Sequence, residues 1–250
     1  GHRAELLTPD GRAEGDHAGD RPDGRKMVGG GSGLAPRRSR GSVRVGPVDA
    51  THLELRPPAA VREIARRLEE AGFETWAVGG AVRDSVLGLE AGDWDLATRA
   101  RPNEVRRLFR RTVPIGIEHG TVGVLWRDGV LYEVTTFRRD LETFGRHAVV
   151  EFADTVEEDL SRRDFTCNAL AWHPLTKELR DPYLGLEDLR AGRLRTVGAP
   201  AERFAEDYLR VLRALRFAGH FGLAIDPPTW DALVAATPKL TGLSAERIRE

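Results

Sequence analysis

The sequence predicts an α+β fold, a small mixed sheet flanked by helices that leads into an all-helical and incomplete C-terminal part. Three observations carry that expectation. Strand-like and helix-like patterns alternate from about residue 57 to Phe152. Beyond Phe152 the pattern turns mainly helical. Residues 1–50 contain no Phe, Trp or Tyr, so they cannot bury enough apolar surface to offset their ordering entropy and read as disordered or non-native. The boundaries follow as 1–50, an α/β head over 51–192, and a helical segment over 193–250. The last residues, Arg247-Ile248-Arg249-Glu250, read as the start of a helix, so this segment is expected to be cut short.

The elements can be justified in order. "PPAAVREIARRLEEAG" carries Val61, Ile64, Ala65 and Leu68 at helical spacing, with proline ahead and Gly72 behind. "FETWAV" reads as a strand, and Gly79-Gly80 turns it into a short helix over Ala81–Leu87. "DWDLAT" is a second strand and "PNEVRRLFR" a second amphipathic helix. "GTVGVLW" and "VLYEVTTF" flank "RDG", the signal of a hairpin with an Asp-Gly turn.

Composition narrows the function classes. No apolar run approaches the roughly 20 residues that span a bilayer, and there is no secretory leader pattern. The single cysteine, Cys167, excludes an internal disulfide framework and suits a reducing, cytoplasmic setting. Net charge is −1, yet only Lys26, Lys177 and Lys239 are lysines, so almost all positive charge is arginine. Arginine matters where it clusters, because its planar fork suits phosphates.

Side chains alternate along a strand, so Asp93 and Asp95 are expected on one face while Trp94 and Leu96 pack on the other. Paired carboxylates repel unless a cation joins them, and hard ions such as Mg²⁺ take oxygen ligands together with substrate phosphates. Leu131, Glu133 and Thr135 share a face of the later strand, so Glu133 adds a third carboxylate if the two strands are neighbours. Three acids so placed suit a metal-assisted phosphoryl or nucleotidyl transfer. Gly79 and Gly80 would let backbone N–H groups approach a triphosphate, with Arg83 adding charge. A DxD pair by itself is a common surface pattern; its meaning here comes from the strand–turn–helix–strand context. Asp84 also reads as a helix-stabilising or salt-bridging residue.

"GGAVRD" followed by "DWDLAT" resembles the opening motif of the class II tRNA nucleotidyltransferases (CCA-adding enzymes) and bacterial poly(A) polymerases. The resemblance runs in order through "GIEHGTVGVL", "YEVTTFRRD", "GRHAVVEF", "EEDLSRRDFTCNALAW", "DPYLGLEDL" and "AEDYLRVLRALRF", over about residues 73 to 223. It implies a polymerase beta-like nucleotidyltransferase head followed by a helical neck. It implies Asp93 and Asp95 as metal ligands, and Gly80 and Arg83 against the incoming nucleotide. Arg163, Asp164 and Asn168 match the motif that recognises ribose and triphosphate. Without the resemblance, that run reads equally as a helix start capped by Asp164.

"EDYLRVLRALRF" places Asp207, Arg210 and Arg213 on one helical stripe, with Arg216 drifting off it; an ordinary amphipathic helix would do the same. An ionised Asp only accepts and an Arg only donates. Cytosine and adenine both offer an amino donor beside a ring-nitrogen acceptor, whereas guanine and uracil offer a carbonyl and an N–H. An Asp–Arg pair therefore favours C and A. The resemblance implies that Asp207 and Arg210 form this reader, with Glu206 supporting and Arg213 and Arg216 near the phosphates. The expected activity is addition of C and A to tRNA 3′ ends from CTP and ATP, without a nucleic-acid template and with release of pyrophosphate. A poly(A) polymerase or a partial CC- or A-adding enzyme would keep nearly the same motifs, and a catalytically silent RNA-binding remnant is the reading of another class. "RRDLETFGRHAVVEF" corresponds to a mobile loop tied to the switch from C to A; where an acidic residue usually precedes Gly-Arg, Phe144 stands here.

Overall fold

The computed structural model describes residues 55–249 except 145 and 146, and the side chains of these except 140–150 and 249. The expectation for residues 1–50 lies outside the described residues. Helix α1 (Ala59–Glu70) buries Val61, Ile64, Ala65 and Leu68 completely, each large one stabilising by roughly 1.5–3 kcal/mol. Gly72, at φ +85°, lets the chain turn out of the helix. Strand β1 (Thr75–Val78) follows, then α2 (Gly80–Val86), β2 (Asp95–Thr98) and α3 (Pro102–Leu108). An edge strand absent from the sequence reading, β3 (Thr112–Gly116), precedes β4 (Thr121–Leu125) and β5 (Leu131–Thr136). The β4–β5 hairpin closes through Gly129 at φ +82°, with Asp128 accepting from the Val130 N–H and the Tyr132 hydroxyl.

The stretch matched to a mobile loop carries paired strands, β6 (Arg138–Phe144) and β7 (His147–Phe152), as a separate antiparallel ribbon. The Phe144 side chain is outside the described residues. Helix α4 (Val156–Ser161) begins with a Thr155–Glu158 capping box. Past it the chain is mainly helical, with short strands that the sequence pattern does not reveal. Strands β8 (Ala171–Trp172) and β9 (Leu179–Arg180) extend the central sheet to the order β3-β4-β5-β2-β1-β8-β9. Two residues are too few to show any periodicity, and Ala171 and Trp172 are fully buried because both faces of the sheet are covered there.

Helix α5 (Gly185–Arg190) starts on Asp181, whose carboxylate accepts from the Gly185 and Leu186 N–H groups. A parallel pair of short strands, β10 (Arg193–Leu194) and β11 (Ala224–Ile225), brackets α6 (Pro200–Glu206) and α7 (Leu209–Phe221). Helices α8 (Pro227–Ala236) and α9 (Ala245–Arg249) follow.

The sheet is mixed. Only β2 and β5 run parallel within it; the other neighbours are antiparallel. One core holds Ile64, Leu68, Leu96, Val122 and Val134 under α1 and continues to Phe204, Val211 and Phe221 of the helical segment. The opposite face packs Trp76, Val78, Phe137, Val156 and Leu160.

Candidate active site

Register decides where the site forms. Val78 pairs with Asp95, so the Gly79-Gly80 turn leaves β1 directly beside the first residue of β2. Leu96 pairs with Val134, so Asp95 and Glu133 stand side by side one step earlier. Val78 also pairs with Ala171, and the Gly79 N–H donates to the Leu170 carbonyl at 3.3 Å, which brings the segment carrying Asn168 alongside. These elements open into a cleft of about 650 Å³. Its lining includes Gly79, Gly80, Arg83, Asp95, Glu133, Arg163, Asp164, Asn168, Asp207, Arg210 and Arg213.

Two expected site residues stand apart from it. Asp93 precedes β2 rather than lying on it; it is exposed and lines an adjoining hollow shared with Asp95, Leu131 and Glu133. Arg216 is exposed on the outer side of α7, its guanidinium 6.0 Å from the Phe217 ring, because three-residue steps drift around a helix of 3.6 residues per turn.

The carboxylate side of the cleft lacks charge balance. Burial first, then the charge of Glu133 and that of Asp93, push the Asp95 carboxyl up to about 6, against the pull of Arg163. The donors are all carboxylate oxygens, the set that a hard divalent ion accepts. Among the described residues no three Asp, Glu, His or Cys side chains already form a cage.

The opposite wall is balanced throughout. Asp159 on α4 is 1 % exposed and accepts from Arg162 Nε and Nη2 at 3.1 and 3.0 Å, and from Arg163 Nη2 at 3.0 Å. Burial alone would raise its carboxyl, but the two guanidiniums outweigh it and hold it below the usual range. Asp164 accepts from Arg213 Nε and Nη2 at 2.8 and 2.6 Å, from Asn168 Nδ2 at 2.9 Å and from the Phe165 N–H at 2.8 Å. Burial again opposes and is again outweighed, by Arg213 first. Asn168 Oδ1 in turn accepts from Arg83, whose guanidinium lies 5.1 Å from the Phe217 ring and 4.5 Å from that of Phe221.

Gly79 has φ +74°, and a Cβ there would come within 2.8 Å of Arg163 Nη1. Glycine suits the backbone angle, and the end of the flexible Arg163 side chain lies across it. Arg163 Nε is buried without an acceptor among the described residues.

Asp207 and Arg210 both line the cleft, but each has its own partner. Asp207 takes Arg247 Nη2 at 3.1 and 3.0 Å. Arg210 binds the Glu206 carboxylate and the carbonyls of Arg203 and Arg162, the latter two at 3.1 and 3.2 Å.

Sequence reasoning passed over Asp159, whose signal was available: an acid three and four residues ahead of two arginines is a helical ion-pair spacing. Thr121, Thr135 and Phe217 also line the cleft, and nothing in their types marked them.

Residues 75–195 match the family described as the poly A polymerase head domain. Around the head domain, the similarity extends to CCA-adding enzymes, 48% identical over 188 residues in Leuconostoc mesenteroides and 47% over 186 residues in Bacillus subtilis. In both cases 74% of this chain is aligned with 46% of the relative, so the chain spans about half the length of the relatives it matches. The Bacillus stearothermophilus CCA-adding enzyme in complex with CTP superposes with TM-score 0.72 at 42% identity, covering 78% of this chain and 47% of that one. A tRNA nucleotidyltransferase complexed with a primer tRNA and an incoming ATP analog gives TM-score 0.63 at 32% identity, covering 74% of this chain and 53% of that one.

Proposed function

We propose that this chain is the catalytic part of a cytoplasmic tRNA nucleotidyltransferase that adds C and A to the tRNA 3′ end from CTP and ATP, with the head at 51–192 and a base-selecting neck from 193. The observation that carries the reading is the register at β1, β2 and β5, which sets a glycine turn and two carboxylates against an arginine-lined wall. The triphosphate would lie along Gly79, Gly80, Arg83 and Arg163, whose Nε has a donor to spare. Asp164 and Asn168 would face the ribose; they are locked together by a hydrogen bond, so their positions are set before substrate arrives. Asp207 and Arg210 would read the base edge, with Arg213 near the phosphates through its pairing with Asp164. The 3′-oxygen of the RNA bonds to the α-phosphorus, the α–β bridging bond breaks, pyrophosphate departs and the hydroxyl proton goes to solvent. Asp93 and Asp95, with Glu133 beside them, would hold Mg²⁺, which when bound neutralises the charge of the phosphates. The chain's own part is to fix phosphate, ribose and base relative to the attacking oxygen.

A partial CC- or A-adding enzyme is the second reading, favoured by Phe144 in place of an acid. The test is incubation with Mg²⁺ and tRNA transcripts ending before CCA, after C and after CC, each nucleotide supplied alone and in mixture. Ordered C, C, A addition that stops supports the proposal. Addition of C or A alone selects the second reading, and long A tails indicate a poly(A) polymerase. No incorporation and no stabilisation by CTP or ATP would refute a catalytic role.

A further inference from the structure

The face of the sheet away from the cleft carries a strongly basic surface with no part in the site just described. Residues 99–111 contain six arginines against one glutamate, Glu104, in a chain whose net charge is −1. Glu104 is occupied, accepting from the Arg101 N–H at 2.7 Å in the cap of α3. Arg106, Arg107, Arg110, Arg111 and Arg127 are exposed, and no carboxylate pairs with them among the described residues.

Three exposed arginines elsewhere are held by carboxylates. Arg66 is tied to Glu63 and Glu70, Arg139 to Glu151 and Glu158, and Arg180 to Glu157 and Glu178.

The basic surface is also shaped. Arg110 and Phe109 line two adjoining hollows, one shared with Arg106 and Arg107, the other with Arg111, Trp126 and Arg127. The second is a cavity of about 310 Å³. Trp126, at the end of β4, lies 5.9 Å from the Arg127 guanidinium and 5.2 Å from that of Arg67, which Glu63 partly neutralises at 3.5 Å. Cation–π contact of this kind restricts a guanidinium without consuming its N–H donors. Those donors are left to meet an external anion. Val124 lines this hollow, whereas Thr121, three residues earlier and pointing to the opposite face, lines the cleft.

We propose that Arg106, Arg107, Arg110, Arg111 and Arg127 form a docking surface for the phosphate backbone of RNA, separate from the cleft where the 3′ end reacts. It rests on the tRNA reading above and gives that reading a grip on the substrate. Spaced guanidiniums that read no base edge bind by charge, so the contact is sequence-independent and salt-sensitive.

The test compares the wild-type chain with Arg106→Gln/Arg107→Gln/Arg110→Gln/Arg111→Gln, measuring the Kd for a tRNA transcript and for an RNA duplex of acceptor-stem length from about 50 to 200 mM salt. The CTP-induced melting shift is recorded on both proteins to show that the cleft is intact. The expected result is about tenfold to a hundredfold weaker binding of both RNAs at low salt, a salt slope smaller by roughly two to three contacts, and an unchanged CTP shift. Equal Kd and equal slope in the two proteins overturn the surface, as does absence of RNA binding by the wild type at low salt. Should the variant lose RNA binding while the wild type transfers no nucleotide, the surface stands and the tRNA-extension reading falls. Arg→Lys at the same four positions should restore most of the binding, because phosphate attraction needs charge more than the guanidinium fork.

Discussion

On the sheet side of the cleft, Asp95 sits beside Glu133 and near Asp93, with Arg163 the one cation drawing it down, and its carboxyl is pushed up to about 6. On the helical side, Asp159 and Asp164 are more deeply buried yet held below the ordinary range, because Arg162, Arg163 and Arg213 meet them directly. Burial is therefore not what separates the two walls; compensation is. Buried carboxylates with full sets of donors are held by the framework, while carboxylates left to repel one another are relieved by any positive charge that joins them.

The largest effect expected of that contrast is on chemistry. Asp93→Ala with Asp95→Ala should abolish nucleotidyl transfer, by on the order of a thousandfold or more, while CTP still shifts the melting temperature without added metal. Retained transfer would break the contrast at its root. Next comes stability. Asp159→Ala strands two guanidiniums and should cost about 3–5 kcal/mol, seen as a fall in melting temperature of roughly 10 °C. In EDTA, Asp95→Asn should instead leave the melting temperature unchanged or raise it by a few degrees, since it removes repulsion that no cation relieves. A fall as large as that for Asp159→Ala would mean that both walls are framework.

Acidification sharpens the same point. Asp164 has a lowered carboxyl, so its pairing stabilises the fold above the unfolded value of about 3.9 and is lost as pH falls through its lower folded value. Asp164→Asn should therefore flatten the loss of stability below about pH 4 in an acid titration followed by circular dichroism. The smallest expected effect concerns base choice. Arg247→Ala frees the Asp207 carboxylate and should alter CTP-against-GTP discrimination by about twofold to tenfold, whereas Asp207→Ala should let wrong bases through. Equal loss with all four nucleotides, and no misincorporation, would remove Asp207 from base reading.

Much of this was legible in the sequence, and the limits are physical. Asp95, Glu133, the glycine turn, Arg163, Arg210 and Arg213, singled out in the sequence, all line the cleft, because each sits in a short segment with a recognisable residue pattern. Strands β3, β8 and β9 were missed, since they are short and either pair at the sheet edge or are buried on both faces, where alternation carries no signal. The position of Asp93 outside β2 depends on where pairing with β1 begins, which a strand-like pattern does not specify. Partner choice was the least legible. That Asp207 faces Arg247, forty residues away, and Asp164 faces Arg213, forty-nine away, is decided by helix packing rather than local spacing.

The pairing of β1 with β8 has a consequence for how the cleft comes into being. Val78 and Ala171 meet across more than ninety residues, and the wall is closed only by Arg213. A chain emerging from the ribosome through β5 holds its carboxylates and glycine turn but has nothing to oppose them. It lacks the Asp164–Arg213 pair until α7 has followed. The site is thus built on contacts of large sequence separation, whose loop-closure entropy must be met before they form.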